Sequence, residues 1–124
     1  KLFESQEYFS STGGLHAAAI ADQLGNICLL REDIGRHNAV DKVIGSALKT
    51  PVLQLENSIL LLSGRAGFEL VQKAARARVP VIASIGAPSS MAVDMAGEYG
   101  ITLIGFLRQE RFNIYCGAQR IIIE

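Results

Sequence analysis

The segment between Leu30 and Gly45 concentrates side chains that could bind an anionic ligand. It is highly charged, whereas the rest of the chain is rich in Ala, Val, Ile and Leu. Guanidinium groups donate paired hydrogen bonds to phosphate, and helix N-termini add backbone N–H donors. A solvent-exposed helix face has a similar composition, so both interpretations are open. The charged and imidazole residues are Arg31, Glu32, Asp33, Arg36, His37, Asp41 and Lys42.

Length and composition predict a single domain covering residues 1–124. Of the 124 residues, 49% are hydrophobic, and 12 Lys and Arg residues balance 12 Asp and Glu residues. A chain of this size can bury a core. The charge balance argues against nucleic-acid or membrane binding by bulk charge. Because the chain starts at Lys1 without a signal or transit pattern, we expect a cytoplasmic protein, and the sequence is also compatible with a preceding N-terminal portion.

The two cysteines have no recognisable metal or redox spacing. Cys28 lies within an apolar run, and Cys116 lies near the end of the chain. Two cysteines so far apart fit neither a disulfide framework nor a zinc site. We expect Cys28 to be a small buried side chain, and the role of Cys116 is open.

Hydrophobic periodicity predicts alternating strands and helices. Apolar residues recur every three or four positions between Arg36 and Leu48, as in an amphipathic helix. Short apolar runs separated by helical segments are typical of parallel strands in an α/β fold, and a hairpin adds an antiparallel edge. The order predicts a three-layer α/β sandwich around a mixed sheet. The expected strands are 15–21, 27–31, 58–62, 79–84, 101–107 and 112–115, and the expected helices are 2–11, 36–48, 68–77 and 88–98.

Polar residues and glycines follow several of the predicted strands. In such a sheet ligands bind beyond the carboxyl ends of the parallel strands, where helix N-termini point. Because separate connections converge there, we expect an anion site that suits phosphate, although no Walker loop or dinucleotide fingerprint is present. The candidate residues are Asp33, Arg36, His37, Asn38, Ser63, Gly64, Arg65, Ser84, Gly86, Ser89, Ser90, Arg108 and Arg111.

Two of these candidates also have a structural interpretation. Arg65 precedes Glu69 by four residues, a spacing at which the two side chains can form a salt bridge. His37 lies at a predicted helix start, where it could cap the helix or form a local hydrogen bond. The sequence leaves these interpretations open.

His16 resembles the metal-binding histidine of the zinc deaminases. In those enzymes a glutamate follows two residues after the histidine, and a Pro-Cys-x-x-Cys motif supplies further zinc ligands. Here Ala18 occupies the glutamate position, and residues 63–68 contain no cysteine. We therefore expect no catalytic zinc, even where the fold is shared.

Five longer motifs cover most of the chain, from about residue 9 to residue 115. They read TGGLHAAAI, REDIGRHNAVDKVIG, LSGRAGFELVQKA, GAPSSMAVDMA and TLIGFLRQERFNIY. Together they resemble the C-terminal domain of the FdhD family of formate dehydrogenase accessory proteins, which are sulfur carriers or sulfurtransferases. The resemblance implies a cytidine deaminase-like fold, a homodimer and a cytoplasmic location.

The resemblance also implies a role in cofactor maturation. Family members accept sulfur from a cysteine desulfurase and pass it to the molybdenum bis-guanine-dinucleotide cofactor, before that cofactor enters the formate dehydrogenase apoenzyme. The family's sulfur-carrying Cys-x-x-Cys motif lies upstream of the Thr-Gly-Gly stretch and is absent from this sequence, and Cys116 does not match it. We therefore expect this chain to provide the cofactor-binding part, with GDP as an analogue of the cofactor.

The resemblance and the predicted anion site together assign roles to individual residues. We expect the glycines and His16 at the floor of the site, and Arg36 to Asn38 at phosphate or ribose. Ser63 and Arg65 would hold the pyrophosphate, and Ser89 and Ser90, at a helix start, would donate to another phosphate group. Asp33 or Asp41 could accept from a guanine edge. The cofactor-binding candidates are Gly13, Gly14, His16, Asp33, Arg36, His37, Asn38, Ser63, Gly64, Arg65, Ser89 and Ser90.

Two other functions are compatible with the sequence. One is a scaffold whose polar surface docks the desulfurase or the dehydrogenase without binding a nucleotide. The other is a deaminase-like enzyme with a nonstandard site. Nucleotide affinity would favour the cofactor-binding role, whereas zinc and turnover of a nucleobase would favour the enzyme.

Overall fold

A computed structural model describes residues 15–107 and 112–121 of the chain. Within these ranges strands and helices alternate as predicted, whereas the expected helix at 2–11 lies outside the described residues. The strands are β1 (His16–Ala21), β2 (Ile27–Asp33), β3 (Ile59–Leu62), β4 (Val81–Ser84), β5 (Thr102–Gly105) and β6 (Asn113–Cys116), and the helices are α1 (Arg36–Leu48), α2 (Phe68–Arg76) and α3 (Ser90–Tyr99).

The six strands form one mixed sheet in the order β2-β1-β3-β4-β5-β6. β1 is antiparallel to both β2 and β3, so β2 runs in the same direction as β3. β3, β4 and β5 are mutually parallel, and β6 is antiparallel to β5. Four strands therefore end at the same edge of the sheet, where β1 begins. We call this edge the carboxyl edge.

The three described helices pack against one face of the sheet. Alternate strand residues, among them Ile20, Leu60 and Leu103, join the apolar sides of the helices in one core. Full burial of such a side chain stabilises the fold by about 1.5–3 kcal/mol. The intervening residues form a second cluster on the other face, with Leu61 and Ile104 fully buried. The mixed α/β sheet is confirmed and is compatible with the expected sandwich, and among the described residues the helices cover one face of the sheet.

The hairpin differs from its expected form at two positions. β2 continues to Asp33, which pairs with His16 at the carboxyl edge instead of lying in a loop. Cys28 is exposed, so the prediction that it is buried is wrong. The pairing shifts between Ile20 and Ala21, which makes Cys28 the extra residue of a bulge in the outermost described strand. A bulged residue leaves the regular alternation that would have buried it.

Candidate functional site

All three described helices begin at the carboxyl edge. α1 follows β2, α2 follows β3 and α3 follows β4, each after a short connection. The first turn of a helix carries backbone N–H groups without intrahelical partners and the positive end of the helix dipole. The fold therefore directs three sets of donors toward one side of the sheet, as the sequence pattern predicted.

Backbone contacts hold the connections after β3 and β4 together. The Gly86 N–H donates to the Gly64 carbonyl over 3.3 Å, and the Ser89 N–H donates to the Ala66 carbonyl over 3.0 Å. A Cβ atom at Gly86 would lie 3.1 Å from the Arg65 nitrogen and from the Gly64 carbonyl. Glycine at 86 thus permits a close approach that a side chain would disturb.

The helices differ in how their first turns are capped. α1 and α2 follow Gly35 and Gly67, which have no side chain to accept from the helix. In α3, by contrast, the Ser89 Oγ accepts the Ala92 N–H over 3.1 Å. The first turns of α1 and α2 are therefore the better backbone donors for an anion.

The first turns of α1 and α2 lie beside each other, with His37 near Glu69. The His37 Nε2 lies 3.8 Å from the Glu69 Oε1. Glu69 thus faces a neighbouring helix, and the proposed Arg65–Glu69 salt bridge is not among the ion pairs of the described residues. Within the described ranges, the exposed guanidinium groups of Arg36 and Arg65 have neither an ion-pair nor a hydrogen-bond partner.

Asp33 organises the turn between β2 and α1. Its Oδ2 lies 2.7 Å from the Lys42 Nζ, and its Oδ1 accepts the Gly35 N–H over 3.0 Å. The hydrogen bonds from Lys42 and then from Gly35 lower the pKa of Asp33 to about 2. Asp41 is also paired, through a contact of 2.5 Å between its Oδ1 and the Lys73 Nζ. Asp33 and Asp41, the two carboxylates suggested as acceptors for guanine, are therefore each paired with a lysine.

His16, Ser63 and Gly64 meet where β1 begins and β3 ends. The Ser63 Oγ accepts the Ala17 N–H over 2.8 Å, which ties the connection after β3 to β1. The half-buried His16 ring lies against Gly64, since a Cβ there would be 3.2 Å from the His16 Nδ1. The two floor glycines, Gly13 and Gly14, lie outside the described residues.

Of the remaining predicted site residues, one is buried and supports a loop, and two are exposed to solvent. Ser84 is buried, and its Oγ donates to the Gly86 carbonyl over 2.9 Å, so it supports the loop. Asn38 and Ser90 are exposed in the first turns of α1 and α3. Arg108 and Arg111 lie outside the described residues.

Phe106 is a residue of the carboxyl edge that the sequence reasoning missed. It follows β5, its φ is 53°, and its side chain is 41% exposed. For a residue other than glycine, this left-handed backbone conformation raises the free energy by roughly 1–2 kcal/mol. Phe106 lies in one of the five sequence motifs, but it was assigned to the strand predicted at 101–107, so no turn was expected there.

Three open clefts of about 320–330 Å³ lie away from the carboxyl edge. Two of them share Leu48, Arg76 and Ala77, near the ends of α1 and α2, and the third lies between the β1–β2 turn and the start of β3. In the part of the chain that the structure describes, no group of three or more His, Cys, Asp or Glu residues could hold a metal ion. Nor does any helix there have the length and apolar character needed to cross a membrane.

Comparison with known proteins identifies the family. Residues 1–122 match the FdhD/NarQ family. The sulfur carrier protein FdhD of Streptomyces coelicolor is 54% identical over 123 residues, which cover 99% of this chain and 44% of the relative. The protein of the same name from Picrophilus torridus is 52% identical over 122 residues, covering 98% of this chain and 47% of the relative.

A solved structure supports the same assignment. The crystal structure of a protein assigned as a formate dehydrogenase accessory protein from Desulfotalea psychrophila matches with a TM-score of 0.84 and 32% identity, covering 98% of this chain and 58% of that chain. This chain spans less than half the length of the curated relatives described above. Their similarity nevertheless extends over nearly all of its own residues, as the five sequence motifs indicated. The chain belongs to the FdhD/NarQ family.

Proposed function

We propose that this chain is the cofactor-binding part of a sulfur carrier protein and that its carboxyl edge binds a guanine nucleotide. The observation that carries the proposal is the convergence of two unpaired guanidinium groups, Arg36 and Arg65, with the uncapped first turns of α1 and α2. Guanidinium groups and helix N-termini both donate to phosphate oxygens. A pyrophosphate matches this set of donors in charge and in hydrogen-bonding capacity.

The substrate of the proposed role is the molybdenum bis-guanine-dinucleotide cofactor, held as cargo. Its two guanine dinucleotide ends each contain a pyrophosphate. The contact between His37 and Glu69 places the first turns of α1 and α2 beside each other, so Arg36 and Arg65 belong to neighbouring segments. The residues proposed to hold the phosphates are these two arginines and the first-turn N–H groups of both helices.

Sulfur transfer is proposed for the whole protein. It would accept sulfur from a cysteine desulfurase and deliver it to the cofactor destined for the formate dehydrogenase apoenzyme. The names of the relatives, sulfur carrier protein and formate dehydrogenase accessory protein, support this role. The carrier Cys-x-x-Cys motif does not occur among these 124 residues, so binding of the cofactor is the part proposed for them. A cytidine deaminase-like fold, a homodimer and a cytoplasmic location belong to the same proposal.

Calorimetric titration with GDP, with ADP as the control ligand, tests the proposal. We expect binding that favours GDP. A hydrogen bond to a charged group contributes about 1.5–3 kcal/mol, so Arg36→Ala and Arg65→Ala should each weaken GDP binding about tenfold or more. Arg76→Ala is the matched control, because Arg76 is an exposed arginine in the last turn of α2. Unchanged GDP affinity in both folded edge variants would contradict the proposal.

A docking scaffold is the second candidate. Ile34 favours it, because this apolar side chain is 83% exposed in the connection between β2 and α1. A folded chain that binds the desulfurase or the dehydrogenase apoenzyme but neither nucleotide would support docking and overturn the binding of guanine nucleotides. The Ile34→Asp variant should then weaken the protein contact.

A further inference from the structure

Phe106 combines a left-handed backbone conformation with an accessible aromatic side chain. It follows β5 at the carboxyl edge, with φ 53° and a side chain that is 41% exposed. Its N–H donates to the Gly86 carbonyl over 3.2 Å, which joins it to the connection after β4. Phe106 therefore belongs to the same edge as the proposed phosphate donors.

The neighbouring residues explain the turn at Phe106. A Cβ atom at Gly105 would lie 2.7 Å from the Pro88 Cδ and 2.9 Å from the Tyr115 ring, so Gly105 is fixed by close packing. On the other side, Leu107 is 1% exposed and its N–H donates to the Ser84 carbonyl over 3.0 Å. The backbone is thus fixed at Gly105 and at Leu107. Because both neighbours are fixed, the backbone must turn at Phe106.

These anchors do not explain the aromatic side chain. Glycine or asparagine adopts left-handed φ values with less strain than phenylalanine. An accessible phenylalanine at such a position keeps the strain without the benefit of full burial. Strained residues of this kind occur preferentially at functional sites.

We propose that Phe106 stacks against the base of the bound nucleotide, an inference that rests on the proposed nucleotide binding. Arg65 follows β3 and Phe106 follows β5, two strands further along the sheet. Adjacent strands are about 4.8 Å apart, so the two positions are separated by roughly 10 Å. A nucleoside diphosphate with its phosphates at Arg65 can reach Phe106 with its base.

This role predicts a specific pattern of ligand dependence. Stacking on an aromatic ring uses the flat face of a base and is tolerant of base identity. Phe106 should therefore contribute affinity for the base of GDP and none for inorganic pyrophosphate, which has no base. Selectivity for guanine over adenine would come from other contacts.

The experiment titrates the chain and its variants with GDP and with inorganic pyrophosphate. Phe106→Asn removes the ring and relieves the left-handed strain, so we expect GDP binding to weaken at least fivefold while pyrophosphate binding and the melting temperature do not fall. Phe106→Tyr keeps the ring and should bind GDP within about twofold of the parent. Tyr99→Asn is the control, because Tyr99 is an exposed aromatic residue at the far end of α3.

Each other outcome overturns the inference. Unchanged GDP affinity in Phe106→Asn would show that no stacking occurs, while the proposed function would stand. Equal weakening of GDP and pyrophosphate binding would show a structural role for Phe106. If the parent chain bound pyrophosphate but not GDP, or neither ligand, the proposed nucleotide binding would fail and this inference with it.

Discussion

The carboxyl edge and the connection between α1 and β3 differ in how tightly their residues are packed. At the carboxyl edge, backbone hydrogen bonds join the connections, and Gly86 and Gly105 lie where a Cβ atom would meet other atoms at 3.1 Å or less. At the end of α1 and in the connection that follows it, Leu48 and Val52 are 67% and 86% exposed beside open clefts. Binding geometry is maintained by rigid backbone donors, so of these two regions the carboxyl edge is the better candidate for a ligand site.

Replacing a packed glycine should have the largest effect. Gly105→Ala places a Cβ atom 2.7 Å from the Pro88 Cδ, so we expect it to lower the free energy of unfolding by about 1–3 kcal/mol and to weaken GDP binding. Denaturant unfolding measures the first change. The control is Gly45→Ala within α1, where nothing lies within 4 Å of the added atom and stability should rise by about 1 kcal/mol. Equal stability of the two variants would remove the distinction between the carboxyl edge and the far end of α1.

The ion pair between Asp33 and Lys42 should give the carboxyl edge a distinct pH dependence. The pKa of Asp33 is lowered from 3.8 to about 2, so the Asp33 carboxylate binds a proton more readily in the unfolded chain than in the folded one. The stabilisation is therefore present above about pH 4 and is lost as the pH falls toward 2.

A Lys42→Met variant tests this dependence. It removes the main cause of the lowered pKa, so its melting temperature should fall below that of the parent above pH 4, and the difference should shrink toward pH 2. Melting curves recorded across this range provide the measurement. Lys49→Met is the control, because Lys49 is exposed and follows α1 at its other end. A difference that is independent of pH would contradict the role assigned to Asp33.

Capping α2 should have the smallest effect on stability and a larger one on binding. Gly67 has open space around its Cβ position and an extended backbone conformation, so Gly67→Ser can introduce a cap. Serine in place of glycine at this position should stabilise the chain by about a few tenths of a kcal/mol. Its hydroxyl group would compete with a phosphate for the first-turn N–H groups, so GDP affinity should fall. Calorimetry would contradict the assignment if the affinity were unchanged.

Local patterns predicted the elements well, because periodicity is a property of neighbouring residues. α1 was expected at 36–48 and occupies Arg36–Leu48. The prediction for β2 was less accurate, since the charged residues Glu32 and Asp33 were assigned to a connection although they pair with β1. Pairing with a neighbouring strand extended β2 beyond its apolar run, which composition alone does not reveal.

Contacts between distant segments could not be predicted in the same way. Spacing suggested that Glu69 pairs with Arg65, but the packing of α1 beside α2 brings it to His37. The exposure of Cys28 follows from a bulge in its pairing with β1. In both examples the decisive partner lies in another element, so no local pattern contains the information.

The sequence by itself determined the alternation of strands and helices, the grouping of polar connections at one edge and the family resemblance. Each of these depends on residue types and spacings along the chain. Only the tertiary structure decided which arginines are unpaired and that Phe106 adopts a left-handed conformation. The physical reason is that ion pairing and backbone strain depend on which distant residues are brought together, as Pro88 and Tyr115 are around Gly105.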